Sequence, residues 1–167
     1  MHSLDDFDDA VLGRGLPALA EAALREAGAL RGQDSVGTMA ALMRAQALAP
    51  GHPAVLIAWY RHHFYGHRLA AARDVARRGL AMGAKALGLP ALWRQVPALP
   101  LPGASSDAGT RFYLFLLKGY AYLSLRLGDD DEARDALALL RALDPGDHVG
   151  AALLETVRQR AGMAEVD

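Results

Sequence analysis

Apolar residues recur at three- and four-residue spacing through most of the chain, and no run shows the alternation or the Val/Ile/Thr enrichment of strands. The pattern predicts an all-α protein. Residues 17–31, "PALAEAALREAGALR", set Pro17 near the first helical turn and Gly32 just past the last. A helix over 36–48 stops at "APGHP", where two prolines break the backbone. Residues 53–65 and 68–86 form a second pair around Gly66. Residues 110–127 and 130–142 form a third pair around "GDDD", whose acids suit the first turn of the following helix. "DPGDH" ends that helix, and residues 147–161 supply one more.

These pairs repeat. In "AYLSLRLGDDDEARDALALLRALDP", Gly128 is followed by the small residue Ala133 and then by Pro145 at the close of the second helix. Pro50 holds the same closing position in the first pair, and the second pair offers Gly66 and a choice of small residues from Ala70 to Ala72. A small side chain where two helices cross lets their backbones approach, and proline ends the second helix. In this spacing the chain resembles the tetratricopeptide repeat, a helix-turn-helix unit, over roughly residues 17–86 and 111–161. The resemblance implies three antiparallel helical hairpins in a right-handed superhelix, a C-terminal capping helix, and a scaffold that binds peptide segments of other proteins. "HHFYGHRLAAARDVARRGLAMGAKALGLPALWRQ" also resembles small bacterial repeat proteins found alongside nitrogen-fixation systems.

A plain repeat does not need the residues from about 86 to 110. "ALGLPALWRQVPALPLPGASSDAG" carries four prolines and predicts an irregular segment with a short turn around Trp93. It is too apolar for a floppy linker, so it should pack. The organisation is then an acidic leader over 1–16, a single helical domain over 17–161 containing this insertion, and a tail over 162–167.

Charge changes the picture more than composition does. The net charge is −1, yet residues 35–106 hold eight basic residues against Asp74 alone, while both ends are acidic. Such asymmetry bears on the sign of a partner. It is met equally well by neutralisation within the molecule. Arg outnumbers Lys 16 to 2 and Asn is absent, which reads as compositional bias, so arginine abundance does not argue for nucleic acid. A pI near 6.6 argues against it. The absence of Cys excludes disulfides, thiolate metal sites and a cysteine nucleophile. The opening "MHSLDDFDDA" is acidic where a secretory signal is basic, and the longest apolar stretch is interrupted by Lys118. A cytoplasmic protein without a membrane helix is expected.

Candidate chemistry concentrates in "AWYRHHFYGHR", residues 58–68, with three histidines and four aromatic rings. If the helix continued, His63 and His67 would share a face at metal-ligand spacing. No Glu lies between them as a general base, however, and Gly66 marks a turn, so neither a metal nor any other cofactor is expected. No nucleophile elbow or phosphate loop appears, and no enzyme is expected. Packing explains part of the stretch: Trp59, His62 and Tyr65 would face neighbouring helices, with histidine bonded to a backbone carbonyl. Tyr60, Arg61, His63 and Phe64 would then line a groove together with Phe115, Lys118, Tyr122 and Arg126 from residues 110–127. Aromatic anchors mixed with cations suit an acidic or amphipathic segment of another protein. The alternatives are a metal- or small-molecule-binding protein using His62, His63 and His67, and a secretion-type chaperone or nucleic-acid accessory protein. The helix over 110–127 is apolar on every side, so the insertion, a second copy of the chain or a partner must cover what its neighbours do not.

Overall fold

The computed structural model describes residues 4–164. Among the described residues there are eight α-helices, one short 3-10 turn and no strand. The chain divides after Val75 into two compact units.

The first unit holds α1 (Leu4–Val11), α2 (Ala18–Leu30), α3 (Ser35–Leu48), α4 (Pro53–Tyr65) and the start of α5 (Leu69–Leu87). The acidic leader thus contains a helix that the hydrophobic pattern does not announce, because eight residues offer a period barely two turns in which to repeat. Proline and glycine set the other boundaries. Pro17 precedes α2, and Gly32, in the left-handed region at φ 79°, turns the chain after it. Asp34 caps α3 by accepting from the Gly37 N–H at 2.9 Å. Pro53 is the first residue of α4. The α2/α3 seam is lined by small side chains: Ala20, Ala23, Ala27, Ala41 and Ala45 are all buried. Alanine lets the two helices approach closely. Trp59 of α4 fills what the alanines leave, packing against both alanine clusters.

The second unit holds the rest of α5, the turn Trp93–Gln95, α6 (Ala108–Arg126), α7 (Asp130–Leu143) and α8 (Ala151–Ala164). Here the core is large. Tyr113, Leu114, Leu117, Tyr120, Leu123, Leu137, Leu140 and Leu143 are all buried to within a percent or so. Gly83 of α5 lies against α6, where an added Cβ would come within 3.3 Å of the Tyr113 ring. The Pro-rich insertion packs, as its apolar composition predicts. Trp93 is buried with its ring centroid 5.6 Å from that of Tyr120. The Leu101 N–H donates to the Leu143 carbonyl at 2.9 Å. Thr110 and Arg111 of α6 reach back to the Pro102 and Ala104 carbonyls.

The last helix starts at Ala151 rather than 147. The buried Asp144 carboxylate accepts from the Val149 N–H at 3.1 Å and bonds the His148 ring at 2.7 Å. This holds residues 144–149 as a loop, with Asp147 and Gly150 both at positive φ. Of the expected tail, residues 162–164 belong to α8, and 165–167 lie outside the described residues. No helix among the described residues is long and apolar enough to cross a membrane.

Candidate interaction surfaces

The aromatic stretch of α4 resolves into two ladders, each at i, i+4 spacing. On one side the His63 ring stacks on Trp59, with centroids 5.7 Å apart and planes at 27°. On the other, Phe64 lies 5.7 Å from Tyr60. His63 therefore belongs with Trp59 and not with the Tyr60 side, since a residue four positions on returns closer to the same face than one three positions on. Its Nδ1 also accepts from Arg68 Nε at 3.2 Å. Tyr65 departs from the expected inward packing. It is 61% exposed, with Arg31 5.5 Å above its ring.

Gly66 ends α4, and His67 sits beyond it at φ 58°. His63 and His67 therefore do not share a helix face. Among the described residues no three His, Asp or Glu side chains come together as a metal-holding group. His62 differs from expectation in another way. Its Nε2 is buried without a hydrogen-bond partner among the described residues, while its own backbone carbonyl accepts from Arg68 at 2.8 Å. Burial, reinforced by the Arg68, His63 and Arg31 charges, holds its pKa below the ordinary histidine value and so favours the neutral ring. The ring that does bond a carbonyl is His52, whose Nε2 lies 2.9 Å from the Arg14 oxygen. Arg61 is exposed and faces solvent.

In the second unit one face of α6 stands apart from the rest. Arg111, Phe115, Lys118, Tyr122 and Arg126 follow each other at three- and four-residue steps and so lie along one line of the helix. Phe115 is 48% exposed, whereas Phe112, Tyr113, Leu116 and Leu117 around it are buried. Arg111 lies 5.3 Å over the Phe115 ring, and Arg126 5.7 Å over that of Tyr122. Among the described residues the three cations bond neutral acceptors: Arg111 the Ala104 carbonyl, Lys118 the Val149 carbonyl at 2.7 Å, and Arg126 the Tyr122 hydroxyl at 2.7 Å. Lys118 is the least available of the three, because that bond ties α6 to the loop before α8.

Arg94, in the insertion, is absent from the sequence-derived candidates. It donates to Glu132 at 2.6 Å and to Asp135 at 2.8 Å on α7 and lies 4.6 Å over its neighbour Trp93. These two carboxylates raise its pKa, and Arg94 in return holds Asp135 below the ordinary carboxylate value. Glu132 also accepts from the Tyr120 hydroxyl at 2.7 Å. Beside this network opens a cavity of about 280 Å³ lined by Trp93, Val96, Ala98, Ala138 and Leu139 together with Arg94 and Asp135. The only sequence signal for it is the pairing of a tryptophan with an arginine in an insertion whose one other charge is Asp107.

The chain is similar to an uncharacterized 19.8 kDa protein in the nifW 5′ region of Azotobacter chroococcum mcd 1, with 40% identity over 116 residues. The aligned region covers 68% of this chain and 64% of that protein's length. No protein-family model matches the chain, and no solved structure matches it.

Proposed function

We propose that the chain is a non-enzymatic interaction module that holds an acidic, amphipathic segment of a partner protein, built on a tetratricopeptide-like succession of helical hairpins. The observation that carries this reading is the exposed line on α6. A solvent-facing phenylalanine is flanked by arginines that no carboxylate among the described residues pairs. Aromatic and arginine side chains with unspent contact area are the groups that dominate protein interfaces. The acidic sign of the partner follows from charge complementarity. Kinship with a protein of the nifW 5′ region supports a setting in nitrogen-fixing bacteria, and the module is read as working in the cytoplasm.

The test is capture of partners from such cells by tagged wild type and by a Phe115→Ala, Arg126→Glu variant, identified by mass spectrometry. Both substituted side chains are exposed, so melting should hardly move. A partner retained by wild type at low salt, released as salt rises, and lost with the variant is the expected result. Capture that is identical for the two proteins would remove the α6 face from the function.

A further inference from the structure

The acidic leader is the part of the chain that most resembles the proposed partner. Its helix α1 reads "LDDFDDAV", with four Asp, no basic residue and a single aromatic ring. It packs against α4, the helix that carries the aromatic ladders and Arg61 and holds no acidic residue. An acidic, ring-bearing helix is thus already seated on a neutral-to-basic, ring-bearing one.

Its seat is shallow. Every residue from Phe7 to Val11 is only half-buried, whereas α2 and α3 each send several residues to full burial. A helix of two turns is not stable on its own in water, so α1 keeps its form through docking. The fixed point lies past it. Leu16 packs against the alanine cluster, and the Arg14 carbonyl is held by His52 at the start of α4. Between α1 and Leu16 run Gly13, Arg14 and Gly15, with both glycines in the left-handed region and open space where a Cβ would stand. The tie from Arg14 to Asp9 at 2.9 Å is a solvent-exposed ion pair, the kind that contributes little. Segments held by few buried contacts open at low cost.

We propose that α1 is a built-in occupant of a docking face on α4. The face takes an acidic, aromatic-bearing helix, and release of α1 about the Gly13–Arg14–Gly15 joint opens it to such a helix from a partner protein. This rests on the interaction-module reading but assigns a face in the first unit that is separate from the α6 line.

The probe is a labelled peptide of residues 1–12, followed by fluorescence anisotropy against full-length protein and against a chain lacking residues 1–12. The shortened chain should bind the peptide at least about tenfold more tightly than the full-length one, because only there is the face vacant. Binding should weaken with salt and be lost when the four Asp of the peptide are replaced by Asn. If the shortened chain does not fold by circular dichroism, full-length Phe7→Asp with Val11→Asp loosens α1 in place and should admit the peptide in the same way. Arg61→Glu in the vacant-face protein should reduce binding severalfold, whereas Phe115→Ala with Arg126→Glu should leave it unchanged. Absence of peptide binding to either folded variant overturns the inference, as does equal binding to full-length protein or sensitivity to the α6 changes alone. Loss of partner capture on the α6 variant would stand in each of those cases, so the two readings fail separately.

Discussion

The α2/α3 pair packs alanine on alanine, whereas the α6/α7 pair is built from tyrosine and leucine. Both are successive helices joined by a tight turn at a positive-φ glycine, Gly32 in one and Gly128 in the other. The outer faces differ as well. α7 presents Asp131, Arg134 and Arg141 to solvent, but α3 presents Val36, 78% exposed, and Met43, 60% exposed. A short-turn hairpin therefore fixes chain direction without fixing where stability resides. In the second unit the buried area is spread over many large side chains, and in the first it rests on alanines joined by Leu42, Val55 and Val75, with the half-buried Trp59 packed against them.

The largest expected effect tests the second core directly. Leu117 is wholly buried, and Leu117→Ala should cost about 3–5 kcal/mol in denaturant unfolding. Trp59→Ala should cost about 3 kcal/mol although Trp59 is only half-buried, because both alanine clusters lean on it. A cost near zero at Trp59 would show that the alanine seam holds without its plug. Next come changes that overfill. Ala45→Leu in the first pair and Ala133→Leu in the second each put a large side chain at a buried alanine, at about 1–3 kcal/mol. Should Ala133→Leu melt with the wild type, the close crossing inferred from the Gly128–Ala133–Pro145 spacing is misplaced.

How much of this was legible in the sequence depends on what each feature rests on. Proline and glycine act through backbone geometry alone, so the span 53–65, bracketed by Pro53 and Gly66, matches α4 residue for residue. Ends set by tertiary contacts were hidden. Nothing local says that Asp144 is buried and gathers the loop after it, which delays α8. Helix α1 is too short for its period to register, and its place on α4 is a long-range fact. Among the site residues, the α6 line followed from spacing. His63 did not, because both the Trp59 and the Tyr60 ladders are within a turn of it and only the packing of Trp59 decides between them. Arg94 was out of reach, since its partners lie about 40 positions on, at Glu132 and Asp135.

The Asp144 loop gives the second unit a pH dependence carried by a buried carboxylate, whereas the α3/α4 turn is held by prolines and the His52 cap. Burial pushes the Asp144 carboxyl up, but bonds from the His148 ring and from the backbone N–H groups of His148 and Val149 outweigh it, leaving the pKa below the ordinary carboxylate value. A group whose pKa is lower folded than unfolded stabilises the fold at pH above its unfolded value, near 4, and that stability is lost as pH falls through the folded value. Asp144→Asn should therefore cost about 1–3 kcal/mol at pH 7, the range for a buried polar partner left unsatisfied. The gap between variant and wild type should close as pH falls from the ordinary carboxylate value through the lower folded value. A gap that stays constant across that range would mean that the loop is held by shape and not by the charge.

The smallest effect separates two ways of starting a helix. Asp34 stands before α3 and spends its carboxylate on a directed bond to the Gly37 N–H, while its backbone carbonyl accepts from the Thr38 hydroxyl at 2.7 Å. The start of α7 instead gathers Asp130, Asp131 and Glu132 in its first turn, and the residue before it makes no side-chain capping bond. In the first case one hydrogen bond satisfies one otherwise unpaired N–H, and in the second several charges share the field of the helix end. Asp34→Ala should therefore cost about 1 kcal/mol. Asp131→Ala, at a side chain 85% exposed and bridged to Arg134, should cost no more than about 0.5 kcal/mol. Salt separates the two further. Raising ionic strength to about 1 M should erase the Asp131 effect, because screening acts on its long-range attraction, and should leave most of the Asp34 effect, because a short directed bond survives it. Equal losses at both positions, falling together with salt, would mean that α3 too is started by charge and that the bond to Gly37 adds nothing of its own.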